Sequence, residues 1–209
     1  GPSAIPGLGE VYASVDSLYL AVSEPTYGPW AARAADQGTR IHKFDLEGGP
    51  EHPIYQASGK VPGTPVNSFA MDDAEGTFRI ATSRIETESR NDQQWINGLY
   101  VMQDEDGILE VVGEVPDLAP GEDIRSVRFF DDIVYVVTFH REINMDPLFT
   151  IDLTDPTNPT VLGELEITGY STYMHPFGDE HLLAIGEEID PSSGMVTGMA
   201  VSLFDVADP

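Results

Sequence analysis

The chain contains no cysteine. Disulfides, thiolate nucleophiles and cysteine-ligated zinc are thereby excluded, and the compartment stays open. Lysine is nearly absent, with Lys43 and Lys60 among only 10 basic residues. Set against 36 acids, they leave a formal net charge of −26. That argues against nucleic acid as a partner, because binding a phosphate backbone needs a basic surface. Three explanations of the acidity stay open: a solvated surface that maintains solubility, adaptation to high salt, and binding of hard cations such as Ca²⁺ by carboxylates.

Long apolar runs are missing too. None approaches the roughly 18 residues of a membrane-spanning helix, and no secretory signal peptide is visible. Gly1-Pro2 has the form of a remnant left by protease removal of a tag, which leaves a native targeting segment open. No long stretch carries a helical period.

What the chain has is repetition. Segments rich in Val, Ile, Tyr, Phe and Thr alternate with Gly, Pro, Asp and Asn punctuation. Four hairpin-like pairs stand out: Val11–Val15 with Leu18–Ser23, Ser68–Asp72 with Phe78–Ser83, Ser126–Phe130 with Ile133–Phe139, and Tyr173–Phe177 with His181–Gly186. A third strand follows each, at Ile41–Leu46, Leu99–Gln103, Leu148–Leu153 and Met199–Val206. Phe44-Asp45-Leu46, Ile151-Asp152-Leu153 and Phe204-Asp205-Val206 share an apolar-Asp-apolar signature. A fourth strand follows in three cases, with Gly59, Gly113 and Gly163 recurring inside it. Val22, Thr82, Thr138 and Ile185 occupy equivalent places in this alignment.

Four strands in each unit of about 50 residues form the blade of a β-propeller. A sandwich would not repeat such a unit. The expected fold is all-β: about four four-stranded blades of a larger propeller, over 8–63, 66–117, 122–169 and 171–209, the last lacking its outer strand. Ser3–Gly7 resembles the tail of a fourth strand, as in Ser58–Gly63, and Asp205–Pro209 matches the place where Asp152–Pro156 turns toward one. Cut sheet edges invite pairing with another chain, so a homodimer through those edges is expected.

Several segments carry a family resemblance: NSFAMDDAEGTFRIATS at Asn67–Ser83, LAPGEDIRSVRFFDDIVYVVTF at Leu118–Phe139 and DPLFTIDLTDPTNPTVLG at Asp146–Gly163. ITGYSTYMHPFGDEHLLAIG at Ile167–Gly186 and VSLFDVADP at Val201–Pro209 extend it. Together they resemble the secreted bacterial and archaeal β-propeller-domain proteins, distantly related to WD-repeat propellers. The match is specific over residues 66–209 and weaker over 1–65. The resemblance implies a propeller and an extracellular or cell-envelope location. It supplies no catalytic residues.

In an up-and-down blade, alternate connections lie on the same face. The strand 1–2 turns are short. The strand 2–3 connections, Glu24–Arg40, Arg84–Asn97, His140–Asp146 and Glu187–Thr197, are longer and all lie on the other face. They hold Trp30, Arg33, Arg84, Arg90, Trp95, His140 and Arg141, and with Arg40 half of the 10 Lys and Arg residues and both tryptophans. Long loops on a rigid scaffold are where binding residues gather, and Trp and Arg are enriched at binding hot spots. The rival reading has each Trp folded onto its own blade's core, so exposure of Trp30 and Trp95 discriminates.

Catalytic signatures are scarce. No nucleophile elbow, phosphate-binding loop or zinc-binding His pair is present. His175 is expected on an innermost strand beside Tyr173, where a hydrogen-bonded structural role competes with catalysis. His140 and Glu142 form the better catalytic pair. For Ca²⁺, the candidates are Asp72 and Asp73 in one acidic turn, and Asp104 and Asp106 in another. Met102 stands where an EF-hand loop needs its first aspartate, and hairpin turns explain both segments.

The leading expectation is a non-catalytic binding or scaffold module for a protein, peptide or glycan. A hydrolase or quinone-type oxidoreductase using the central channel is the alternative, and an assembly element oligomerising through blade edges is the third. Fold alone does not choose among them.

Overall fold

The structure is a computed structural model. It describes residues 9–23, 38–89, 92–139, 145–178, 180–190, 193 and 195–207. Among these residues, fifteen strands run in chain order. The first sheet holds β1 (Gly9–Ala13), β2 (Ser17–Ser23), β3 (Gly38–Asp45) and β4 (Ile54–Pro62). The second holds β5 (Met71–Ala74), β6 (Thr77–Ser89), β7 (Asp92–Glu105) and β8 (Ile108–Leu118). The third holds β9 (Asp123–Phe130), β10 (Ile133–Phe139), β11 (Met145–Asp152) and β12 (Thr160–Thr168). In the fourth, β13 (Tyr170–Pro176), β14 (His181–Ile189) and β15 (Val196–Asp205) are described.

Within each sheet, successive strands pair antiparallel in up-and-down order. A single parallel bridge, Ser58 to Ile108, touches the outer strands of the first two sheets together. The units are blades, and their cores lie between them. Tyr19, Ala21 and Ile41 pack on Phe78, Ile80 and Met102 across the first junction. There the Tyr19 and Phe78 rings stack at 4.2 Å. Ala81, Leu99 and Val101 meet Val134, Val136 and Ile151 at the second. Tyr135, Val137 and Leu148 meet Met174, Leu182 and Ala184 at the third.

This arrangement explains the strand chemistry. Side chains alternate between sheet faces, and a middle blade is covered on both. Its inner strands therefore read as continuous apolar runs, such as IVYVVTF in β10. It also corrects one alignment. Ile185 does not match Thr138. It shares a face with Leu183, whereas Leu182 and Ala184 face the preceding blade as Val134 and Val136 do. Gly186 is the counterpart of Thr138. The lengths of the β9–β10 and β13–β14 turns differ, so spacing alone slips by one residue.

The recurring Asp has a local function. Asp45 accepts a hydrogen bond from the Glu47 amide at 2.6 Å, Asp152 from Thr154 at 2.8 Å and Asp205 from Ala207 at 3.1 Å. Each is an Asx turn that ends the third strand. The next residue's amide then donates to the strand 1–2 turn: Leu46 to Asp16, Leu153 to Asp132 and Val206 to Glu180, all at 2.8 Å. The exposed Asp152 carboxyl is held below the usual range by the Thr154 hydroxyl and amide.

Two recurring glycines permit close blade approach. A Cβ on Gly59 would lie 2.1 Å from the Leu109 carbonyl oxygen, and one on Gly113 would lie 2.1 Å from that of Pro156.

A candidate binding cleft on the strand 2–3 face

The largest departure from the expected layout concerns Trp95. Arg84–Asn97 is not a loop: β6 and β7 stay paired out to Ser89 and Asp92. The β-branched Ile85 and Thr87 alternate with charged residues along RIETES, which suits a strand, whereas DQQWI carries no alternation. Trp95 sits opposite Ile85 on this arm and is half-buried.

Beneath it, the chain crosses from β8 to β9, tied down by Asn97, which is completely buried. The Asn97 Nδ2 donates to the carbonyls of Leu118 at 2.9 Å and Glu122 at 2.8 Å. Its Oδ1 accepts from the Ser83 hydroxyl at 2.6 Å. The Gly121 amide donates to the Trp95 carbonyl at 2.9 Å. Thr64, in the crossing from the first blade to the second, exchanges two backbone hydrogen bonds of 2.9 Å with Ser83.

These elements enclose an open cleft of about 400 Å³ that Trp95, Val66, Arg125, Asp123, Tyr170 and Thr172 help to line. Three blades contribute. Arg125 lies near the start of β9, its guanidinium 4.9 Å from the Phe139 ring centre and 5.1 Å from that of Tyr170. Cation–π contacts of this kind are worth about 0.5–2 kcal/mol. Asp123 Oδ2 stands 3.4 Å from the Arg125 Nη2. The Tyr170 hydroxyl donates to Glu187 at 2.6 Å. The cleft thus combines an aromatic wall, a cation in contact with two aromatic rings, and a carboxylate. It can seat an apolar or aromatic group and satisfy charges of either sign.

Of the residues singled out from the sequence, Trp95 lines this cleft. Arg84 does not join it. It pairs with Ile96 in register, on the sheet face opposite Trp95, and its Nη2 lies 3.0 Å from Glu86. It also lies beside Tyr100, whose hydroxyl burial pushes upward while the Arg84 charge pulls it back. Trp30, Arg33, Arg90, His140, Arg141 and Glu142 fall outside the described residues. His175 lies exposed on β13 and stacks on Tyr173 at 6.4 Å between ring centres. Asp123, Arg125 and Tyr170 were missed. A scarce arginine at the start of an inner strand, just after Gly121, was the available signal.

Three of the four aspartates considered for calcium, Asp72, Asp73 and Asp104, have local partners. Asp72 accepts from the Arg79 guanidinium, with the Nε at 2.9 Å, and from the Tyr12 hydroxyl at 3.1 Å. Asp73 accepts from the Ser14 hydroxyl at 2.7 Å and the Tyr19 hydroxyl at 3.1 Å. Tyr12 is pushed up to about 12 by burial and by Asp72, and Tyr19 is raised by burial and Asp73. Asp104 accepts from the Gly107 amide at 3.0 Å, and Asp106 and Gly107 both have positive φ, as a tight hairpin turn requires. Among the described residues, no three His, Asp or Glu side chains gather closely enough to hold a metal ion.

A family model described as "Beta propeller domain" matches residues 3–209. The chain belongs to the beta propeller domain family. Among curated relatives of this propeller, an uncharacterized protein of Methanocaldococcus jannaschii is 42% identical over 151 residues, 72% of this chain and 22% of its own length. An uncharacterized protein of Archaeoglobus fulgidus is 36% identical over 172 residues, 81% of this chain and 23% of its own. The propeller chain thus spans less than a quarter of the length of these relatives. Among solved structures, an uncharacterized Listeria monocytogenes protein matches 99% of the chain and 55% of its own at 12% identity, with a TM-score of 0.44. A Bombyx mori GH32 β-fructofuranosidase matches 94% and 44% at 13% identity, with a TM-score of 0.43. No helix among the described residues is long and apolar enough to cross a membrane.

Proposed function

We propose that this propeller segment is a non-catalytic binding module and that the Trp95 cleft seats a peptide segment of a partner protein. The observation that carries this reading is the half-buried Trp95 standing over an open cleft beside Arg125, whose guanidinium lies over aromatic rings. Trp, Tyr and Arg in partly desolvated settings dominate protein-binding energetics. The net charge of −26 favours a basic partner, steered by the field of the whole molecule. An extracellular or cell-envelope location, implied by the family resemblance, would bring the face before exported proteins.

Fluorescence anisotropy with panels of labelled basic, neutral and acidic peptides tests the reading. Basic peptides with an aromatic or apolar anchor should bind most tightly. Trp95→Ala should weaken them about 30-fold, the ~2 kcal/mol of a hot-spot truncation. Affinity unchanged in both Trp95→Ala and Arg125→Gln would overturn it.

A further inference from the structure

A second cavity, of about 380 Å³, is lined by residues of β1, β5 and β9, the first strands of three successive blades. It shares no lining residue with the Trp95 cleft. Its aromatic wall is built just ahead of β5. Asn67 Oδ1 accepts from the Phe69 amide at 2.9 Å and starts a single 3₁₀ turn, Ser68–Ala70. That turn buries Ala70 in the core between the second and third blades and leaves Phe69 45% exposed. The Phe69 ring meets that of Tyr173 nearly at right angles, with centres 5.7 Å apart. From β9, the Arg128 guanidinium reaches within 5.1 Å of the Phe69 ring centre.

Arg128 stands apart from the other arginines. With 36 acids and only 10 Lys and Arg residues, a cation in this chain has carboxylates in excess. Arg79, Arg84 and Arg125 each lie beside one. Among the described residues, Arg128 has no carboxylate or hydrogen-bond partner, and its Nε is buried without one. Asp72 lines the same cavity but is held by Arg79 and Tyr12. A partly desolvated cation whose donors the protein leaves unmet favours an acceptor brought by a ligand. We propose that this cavity binds a small organic monocarboxylate with a flat apolar body. The carboxylate pairs with the terminal amino groups of Arg128, and the body packs against Phe69. Asp72 in the same wall repels a second negative charge, which selects a monocarboxylate over a phosphate dianion. At physiological salt, acids more than about 8 Å away are largely screened, so the net charge of −26 does not prevent binding.

Nitrogen-15 NMR of the whole chain at physiological salt, titrated with benzoate, tests this. Benzoate should shift the Arg128 side-chain Nε–H signal and the Phe69 and Asp72 amides in one saturable step. Benzamide, flat but uncharged, and inorganic phosphate should each bind at least about 10-fold more weakly, as loss of a charged hydrogen bond predicts. Arg128→Gln should weaken benzoate by a similar factor. Arg84→Gln removes the same charge away from the cavity and should not. Should Arg128→Gln fail to fold by circular dichroism, Phe69→Ala at its half-exposed position replaces it and should weaken benzoate about 3-fold or more. The assignment is overturned by the absence of a saturable shift, by benzamide or phosphate matching benzoate, by a folded Arg128→Gln or Phe69→Ala of unchanged affinity, or by an equal loss in Arg84→Gln. None of these outcomes bears on peptide binding at the Trp95 cleft.

Discussion

Asp72→Ala removes the central carboxylate of a network spanning three blades. Tyr12 reaches Asp72 from the first blade, and Arg79 is its partner within the second. The Arg79 guanidinium also lies 5.5 Å from the Phe129 ring and 3.8 Å from Asp132, both on the third blade. Arg79 is only 4% exposed, whereas Asp132 is 52% exposed and offers a weak substitute. Stranding a buried charge costs about 3–5 kcal/mol. The Asp72 side chain keeps 21% of its exposure, which places the cost at the lower end, about 3 kcal/mol. For a chain of this length that lowers Tm by roughly 6–12 °C. Urea unfolding followed by circular dichroism reads the difference directly. Replacing both partners, Asp72→Leu with Arg79→Met, should recover most of the loss, because no charge is left buried. A single variant within 1 kcal/mol of the parent (about the value of an exposed ion pair), or a double variant that is worse still, would refute the reasoning.

Alkaline titration should weaken the fold between about pH 10 and 12. Tyr12 is raised to about 12 in the folded state, so its contribution is complete below the ordinary tyrosine value and lost as pH climbs through the folded one. Phenolate absorbance with parallel urea midpoints should show this, and Tyr12→Phe should flatten the slope. Gly113→Ala should cost about 1–3 kcal/mol, because the new methyl meets the Pro156 carbonyl and forces the second and third blades apart. Asn97→Ala should cost a similar ~1–3 kcal/mol by leaving the buried Leu118 carbonyl unpaired. It should also loosen the floor of the Trp95 cleft, visible as faster amide exchange at Gly121.

Most of the architecture was legible because it rests on local chemistry that repeats. The apolar-Asp-apolar signature marks an Asx turn in three of the blades. Gly59 and Gly113 recur because the next blade's backbone passes too close for a side chain. Two features were not legible. The alignment of Ile185 failed because one hairpin turn differs in length, and a single residue flips a strand's faces. The β6–β7 arm reads as a loop because its residues are mostly polar, and the strand signal is limited to Ile85 and Thr87 set between charged residues. The cleft was half legible. Trp95 stood out by composition, but Arg125 and Tyr170 belong to different blades, and only the stacking of the blades brings them together. Arg84 is the sequence neighbour of Ile85, which pairs with Trp95, and therefore lies on the opposite sheet face, which proximity in sequence conceals.

The most direct test of the binding face is hydrogen–deuterium exchange with and without the tightest basic peptide from the panel. Protection should appear at Thr64–Val66, Trp95–Asn97, Asp123–Arg125 and Tyr170–Thr172, the segments that converge on the cleft. Protection confined to the opposite face, at Asp104–Gly107 and Asp131–Asp132, with the cleft unchanged, would contradict it.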